Sequence, residues 1–168
     1  MKRPIAIDNT AQIFTSPQMF LAFGFGSGLS PIVPGTVGTL ASVPLYWLLV
    51  HLPFWGYPWL GYFLVVLAAA IIGVYLCDYT SKKLKVHDHS GIVWDEFVGF
   101  WITMFMVPFS WQWVLLGFVL FRFFDMLKPW PISWLDKKVH GGFGIMIDDV
   151  LAGIAAWCCL QGVMLFLK

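Results

Sequence analysis

The sequence predicts an all-α, polytopic membrane protein: a helical bundle of about five spans, preceded by an N-terminal interfacial or re-entrant segment. Three observations carry that prediction. Of 168 residues, 60% are hydrophobic and 11% charged, whereas soluble domains carry about 25% charged residues. The apolar residues fall into runs long enough for a bilayer core, which takes about 20 helical residues, or about 17 with snorkelling flanks. The cations collect in alternate connections between those runs. A net charge of +1 leaves no basic excess for nucleic-acid binding, and the length suits residues 1–168 forming a single domain with a sizeable core.

The chain opens with Lys2 and Arg3 and a polar stretch containing Asp8, Asn9 and Gln12. "MFLAFGFG" is too short for a signal peptide and lacks a small-residue cleavage pattern, so the start is expected to be retained. "PQMFLAFGFGSGLSPIVPG" is apolar at first and then broken by Gly and Pro, which suits a segment on or dipping into the membrane. The first predicted span is Val37 to Trp55, with Pro44 as a tolerated kink. Trp59 to Cys77 carries no charge. Gly91 to Val107 and Ser110 to Phe124 are separated by the breaker "PFS", and Ile145 to Leu167 closes the chain. Cys77, Cys158 and Cys159 lie in apolar runs without metal or disulfide spacing and are expected to pack.

Lys2 and Arg3 precede the first span. Lys82, Lys83 and Lys85 lie between the second and third, and Lys128, Lys137 and Lys138 between the fourth and fifth. The connections Gly56 to Pro58 and Pro108 to Phe109 have no cation. By the positive-inside rule the charged connections are cytoplasmic. Five spans then leave the C-terminus outside, with Lys168 a local exception. Asp95, Glu96, Arg122, Asp125, Asp148, Asp149 and the glycine-rich loop before the first span all fall toward the cytoplasmic face.

Carboxylates inside a membrane helix cost about 2.5 to 3.5 kcal/mol each near its centre and less toward the interface. Five of the nine acids nevertheless fall in "WDEFVGF", "FRFFDMLKPWP" and "IDDVLAG". Neighbouring helix residues diverge by about 100°, so one acid of each adjacent pair can face a shared centre while the other caps or bridges. Gly99 and Gly153 follow the pairs by about one turn and would let helices approach closely, near enough for the acids to share Mg²⁺. The competing account is that these acids complement helix N-termini and face water, with the glycines serving ordinary packing.

Arg122, Asp125 and Lys128 are spaced three apart near one helix face, with Pro129 to stop the helix. Arg suits bidentate phosphate contact and Lys a point-charge contact; an intrahelical salt bridge with snorkelling cations would use the same residues. "KVHDHSG" places His87, Asp88 and His89 in a cytoplasmic connection, where imidazole can act as general acid or metal ligand, or the loop can simply be solvated. His140 is a weaker candidate of the same kind. "GFGSGLSPIVPGTVGTL" leads into a helix near Thr36, and helix-start N–H groups bind anions, with Ser27, Ser30, Thr36 and Thr39 adding hydroxyls. It lacks the Gly-Lys-Ser/Thr ending of a P-loop, and a membrane-surface turn is the simpler reading.

Together, "GFGSGLSPIVPGTVGTLASVP", "VHDHSGIVWDEFVGFWIT" and "FRFFDMLKPWPISWLDKKVHGGFGIMIDDVLAG", in that order, resemble the phosphatidylglycerophosphatase A family of bacterial inner membranes. The resemblance runs from Phe23 to Gly153. It implies a multi-pass inner-membrane enzyme, active on the cytoplasmic face among membrane lipid. Such an enzyme uses Mg²⁺ to hydrolyse the phosphate monoester of phosphatidylglycerophosphate, giving phosphatidylglycerol, a step of phospholipid synthesis. It assigns no oligomeric state. Asp95, Glu96, Asp125, Asp148 and Asp149 are then expected to supply or support Mg²⁺ coordination, and Arg122 and Lys128 to hold the phosphate with Ser27 and Thr36 nearby. Asp95, Asp149 and His89 are the expected catalytic groups, His89 as proton donor to the leaving oxygen. A covalent aspartyl-phosphate is the open alternative to direct attack by water.

Other phosphate-transfer patterns are missing: there is no Asp-x-Asp-x-Thr, no Pro-Ser-Gly-His, and no CDP-alcohol transferase spacing. The rival from another class is an ion or proton transporter using intramembrane carboxylates. It requires acids near mid-bilayer and polar groups toward both faces, and the uncharged span Trp59 to Cys77 offers no relay. A structural partner subunit is a third reading, which should tolerate Ala at Asp149.

Overall fold

The computed structural model describes residues 7–54, 56–86 and 89–167, with side chains from residue 10 onward. Among the described residues all regular structure is helical. The helices are α1 (Ile7–Thr15), α2 (Pro17–Ala22), α3 (Pro34–Val50), α4 (Pro58–Leu84), α5 (Trp94–Thr103), α6 (Trp111–Leu127), α7 (Ile132–Lys138) and α8 (Gly141–Phe166), with a 3₁₀ segment Gly24–Leu29 after α2.

Proline and short polar side chains mark the starts. Pro34 and Pro58 occupy the first turns of α3 and α4, where a missing N–H costs nothing. The Ser110 hydroxyl caps α6 by accepting from the Trp113 N–H at 3.4 Å. Pro44 lies inside α3.

Two helices are long and apolar enough to cross a membrane, α4 with 27 residues and α8 with 26; at 1.5 Å per residue each reaches about 40 Å. The shorter α3, of 17 residues, is also apolar. The run Gly91 to Val107 behaves differently, because only Trp94–Thr103 is helical. Ten residues make about 15 Å of helix, half a bilayer core. This short α5 is the centre of the protein: it packs against α3, α4, α6 and α8, and eight of its ten residues are buried.

The crossing of α5 and α8 is made by glycine. A Cβ on Gly153 would run into the Gly99 carbonyl oxygen, and one on Gly99 would lie 2.7 Å from the Asp149 carbonyl oxygen and 2.5 Å from the Phe121 ring. The close approach expected from these two glycines is thus present, backbone against backbone. Polar tips of buried side chains bind across helices, as a low-dielectric interior demands. The Tyr62 hydroxyl donates to the Trp101 carbonyl at 2.6 Å, Trp101 Nε1 to the Ser42 carbonyl at 3.2 Å, and Trp94 Nε1 to the Ala69 carbonyl at 3.1 Å.

The connections separate by end. Those between α3 and α4 and between α5 and α6 meet at one end, where Val50, His51, Phe54, Pro108 and Phe109 line a common cavity. At the other end the starts of α3, α5 and α8 meet the C-terminal end of α6. The N-terminal helices, too short to span, fold onto α4: Ile13, Met19 and Phe23 form a small core with Tyr79 and Leu84, and the Val93 N–H donates to the Ala22 carbonyl at 2.9 Å.

Candidate active site

Where those helix ends converge lies a cavity of about 320 Å³. Val33, Pro34 and Gly35 enter it from the start of α3, Asp95 and Glu96 from the first turn of α5, and Arg122, Asp125 and Lys128 from the end of α6. Asp136 comes from α7, and Asp148 and Asp149 from α8. Glycine again permits the approach. A Cβ on Gly35 would occupy the place of Glu96 Oε1 and lie 3.2 Å from Arg122 Nη1, and one on Gly38 would lie 3.0 Å from Glu96 Oε2.

Glu96 and Arg122 tie three helices together. Arg122 Nη1 lies 3.3 Å from Glu96 Oε1 and 2.6 Å from Asp125 Oδ2, and Thr39 Oγ1 donates to Glu96 Oε2 at 3.2 Å. Lys128 ends α6 in a left-handed conformation, φ 41°. Its ammonium reaches Asp148 Oδ2 at 2.9 Å and Asp136 Oδ1 at 3.1 Å. Burial works to discharge Lys128, but its bonds and attraction to Asp148 and Asp136 outweigh that and raise its pKa above the usual lysine value. It is therefore a firm cation. Asp149 is 4% exposed and feels the charges of Asp125, Asp95 and Glu96.

Both members of each acid pair line the cavity, although neighbouring positions diverge around a helix. The cavity spreads across the helix ends, so the pairs divide it: Glu96 takes the α3 and α6 side, Asp148 takes Lys128, and Asp149 lies buried among Asp95 and Asp125. Of the residues expected from sequence, Asp95, Glu96, Arg122, Asp125, Lys128, Asp148 and Asp149 come together.

Ser27, Thr36 and His89 are not among the lining residues. The Ser27 hydroxyl donates to the Gly24 carbonyl at 2.8 Å within its own turn. His89 is buried, its Nδ1 receives the Gly91 N–H at 3.0 Å, and its ring centre lies 5.7 Å from that of Phe23. Its neighbour Ser90 reaches the cavity instead. His87 and Asp88 lie outside the described residues. Asp136, Gly35 and the Thr39 contact to Glu96 were not singled out as site features by spacing. Asp136 reads as one charge in the polar end "LDKK" of a short helix, and only the turn through Pro129 and Pro131 brings it back to Lys128.

Six carboxylates, Asp95, Glu96, Asp125, Asp136, Asp148 and Asp149, face two cations, Arg122 and Lys128. Asp148 Oδ1 and Asp149 Oδ2 are buried without a hydrogen-bond partner. Buried carboxylate oxygens in that state call for a cation or a proton. Among the described residues no three acidic, His or Cys side chains form a ready metal cage.

A helical membrane-type protein with an acid-rich cavity, a fixed arginine and lysine and a helix start at one end has the equipment to handle a phosphate group at a membrane face. The comparisons with known proteins make the class specific. The model of the phosphatidylglycerophosphatase A family matches residues 20–164. The chain is 54% identical over 154 residues to the phosphatidylglycerophosphatase A of Escherichia coli K12, covering 91% of this chain and 84% of that protein. It is 50% identical over 145 residues to the protein of the same name in Haemophilus influenzae, covering 84% and 85%. A putative phosphatidylinositol-3-phosphatase of Bacteroides thetaiotaomicron is 39% identical over 144 residues, covering 81% and 86%. No solved structure matches the chain. The chain belongs to the phosphatidylglycerophosphatase A family.

Proposed function

We propose that the protein hydrolyses the phosphate monoester of phosphatidylglycerophosphate, releasing phosphatidylglycerol and inorganic phosphate, at the cytoplasmic face of the bacterial inner membrane. The observation that carries this reading is family membership across nearly the whole chain. The cavity agrees with it: Arg122 and Lys128 stand beside an acidic cluster at one end of an apolar bundle. The transporter alternative draws no support from that arrangement, since the lining acids gather at one end and α4 is uncharged from Pro58 to Cys77.

In this reading Arg122 and Lys128 bind the phosphoryl oxygens and the start of α3 adds its positive end. Arg122, braced by Glu96 and Asp125, presents its charge with little freedom left to lose. Asp148 and Asp149, with their unpartnered oxygens, are the residues that would hold Mg²⁺, supported by Asp95, Glu96 and Asp125. When bound, Mg²⁺ supplies charge neutralisation at the phosphoryl group and activation of water. The new bond joins water oxygen to phosphorus, the phosphorus–glycerol oxygen bond breaks, and a water proton ends on the leaving oxygen. Asp149 and Asp95 are both buried carboxylates beside that reaction, and we assign them to holding the attacking water. His89 is assigned to shaping the turn that carries Ser90, Ser27 to the loop before α3, and Thr36 to the first turn of α3.

We further propose five crossings, with α5 and its flanking turns as the third. Irregular backbone at membrane depth is tolerated when protein covers it, and α5 is covered on all sides by α3, α4, α6 and α8.

The decisive experiment is phosphate release from a short-chain phosphatidylglycerophosphate by purified protein. With Mg²⁺ release is expected, excess EDTA should abolish it, and added Mg²⁺ should restore it. Absence of release under all conditions overturns the enzyme reading. Release indifferent to EDTA overturns the metal alone.

A further inference from the structure

The Lys128 ammonium has three N–H donors, and two are taken by carboxylates from different helices. Asp148 Oδ2 accepts at 2.9 Å from α8, and Asp136 Oδ1 at 3.1 Å from α7. The two acceptors differ in setting: the Asp148 side chain is 7% exposed and that of Asp136 is 43% exposed. Lys128 itself leaves α6 in a left-handed conformation and is followed by Pro129. A lysine carries about 2 kcal/mol of rotamer entropy, and a single partner would leave its head free to swing. Two acceptors define a direction, and the third N–H is left for the cavity. Asp136 stands on a helix that is itself fixed, because Ile132 of α7 is buried at 3% exposure and α7 packs on α8.

We propose that Asp136 is a positioning residue for the phosphate group: together with Asp148 it aims the Lys128 ammonium so that its remaining N–H meets a phosphoryl oxygen. The proposal rests on the phosphatase reading. It makes a prediction opposite in sign to simple electrostatics. A carboxylate that only adds negative charge beside the cavity would, when removed, strengthen the binding of an anion. A carboxylate that aims the lysine would, when removed, weaken it.

The test measures binding of inorganic phosphate to the full-length protein in detergent, and KM and kcat for the short-chain lipid, in Asp136→Ala, Asp136→Asn and Lys128→Gln and in the combination of Asp136→Ala with Lys128→Gln. Asp136→Ala should weaken phosphate binding and raise KM about threefold to tenfold, with a smaller change in kcat. Asp136→Asn keeps an acceptor oxygen at the same reach and should restore binding. In the Lys128→Gln background, Asp136→Ala should have no further effect. Tighter or unchanged phosphate binding in Asp136→Ala overturns the proposal, as does an equal loss in the Lys128→Gln background. If Asp136→Ala does not fold by its melting curve, Asp136→Ser, which withdraws the acceptor, takes its place under the same criteria. The phosphatase reading fails separately, if the unaltered protein binds inorganic phosphate yet releases none from lipid.

Discussion

Asp149 is a buried carboxylate surrounded by other carboxylates, an arrangement that burdens folding and is useful only if something positive arrives. Its Oδ2 has no hydrogen-bond partner, and the charges of Asp125, Asp95 and Glu96 oppose its own. Asp149→Asn keeps the shape and removes one of the repelling charges. Phosphate release should fall on the order of 100-fold or more, the scale seen when one preorganised electrostatic contact is lost. The melting temperature should hold or rise, the usual trade at a functional site. An unchanged rate would take Asp149 out of the site, and a lost rate with collapsed melting would mark it as structural. At this scale much was legible in advance: adjacent acids in an apolar run are costly to bury, so Asp95, Glu96, Asp148 and Asp149 stand out in the bare sequence. Asp136 does not, because an acid in a polar helix end looks like any solvated charge.

Among the elements, α5 and α8 hold the two acid pairs at a fixed separation by touching through glycine one turn below them. The Gly153 position meets the Gly99 carbonyl, whereas a Cβ on Gly162, further along the same helix, meets nothing within 4 Å. Gly153→Ala should therefore cost about 1–3 kcal/mol through overpacking and depress activity by spreading the acids. Gly162→Ala should stay within about 0.5 kcal/mol with activity retained. Circular-dichroism melts in detergent and phosphate release measure both, and equal effects at the two glycines would remove the crossing from the account. Spacing pointed to Gly99 and Gly153 because each follows its acid pair by a turn. The brevity of α5 was not legible: apart from Asp95, Glu96 and Thr103 the run Gly91 to Val107 is apolar, and hydropathy does not distinguish a span in lipid from a short helix enclosed by four others.

For the whole molecule, the gathering of uncharged connections at one end and of the acid-lined cavity at the other matches the alternation that the lysines imply. A reporter fused after Lys168 should lie on the periplasmic side, and one inserted between Lys82 and Lys85 in the cytoplasm; a cytoplasmic C-terminal reporter would sink the five-crossing topology. The bare sequence determined the helical class, the gathering of the acids toward one end of the bundle, and most of the charged residues that line the cavity there, because each follows from local composition: apolar runs seek lipid, and acids among apolar residues need a reason. Only the tertiary structure decided how the acid pairs divide the cavity, that Asp136 returns to Lys128, and that His89 and Ser27 turn to their own backbone. Those outcomes depend on which helix ends meet and how closely, and contacts between residues far apart in the chain leave no trace in local spacing.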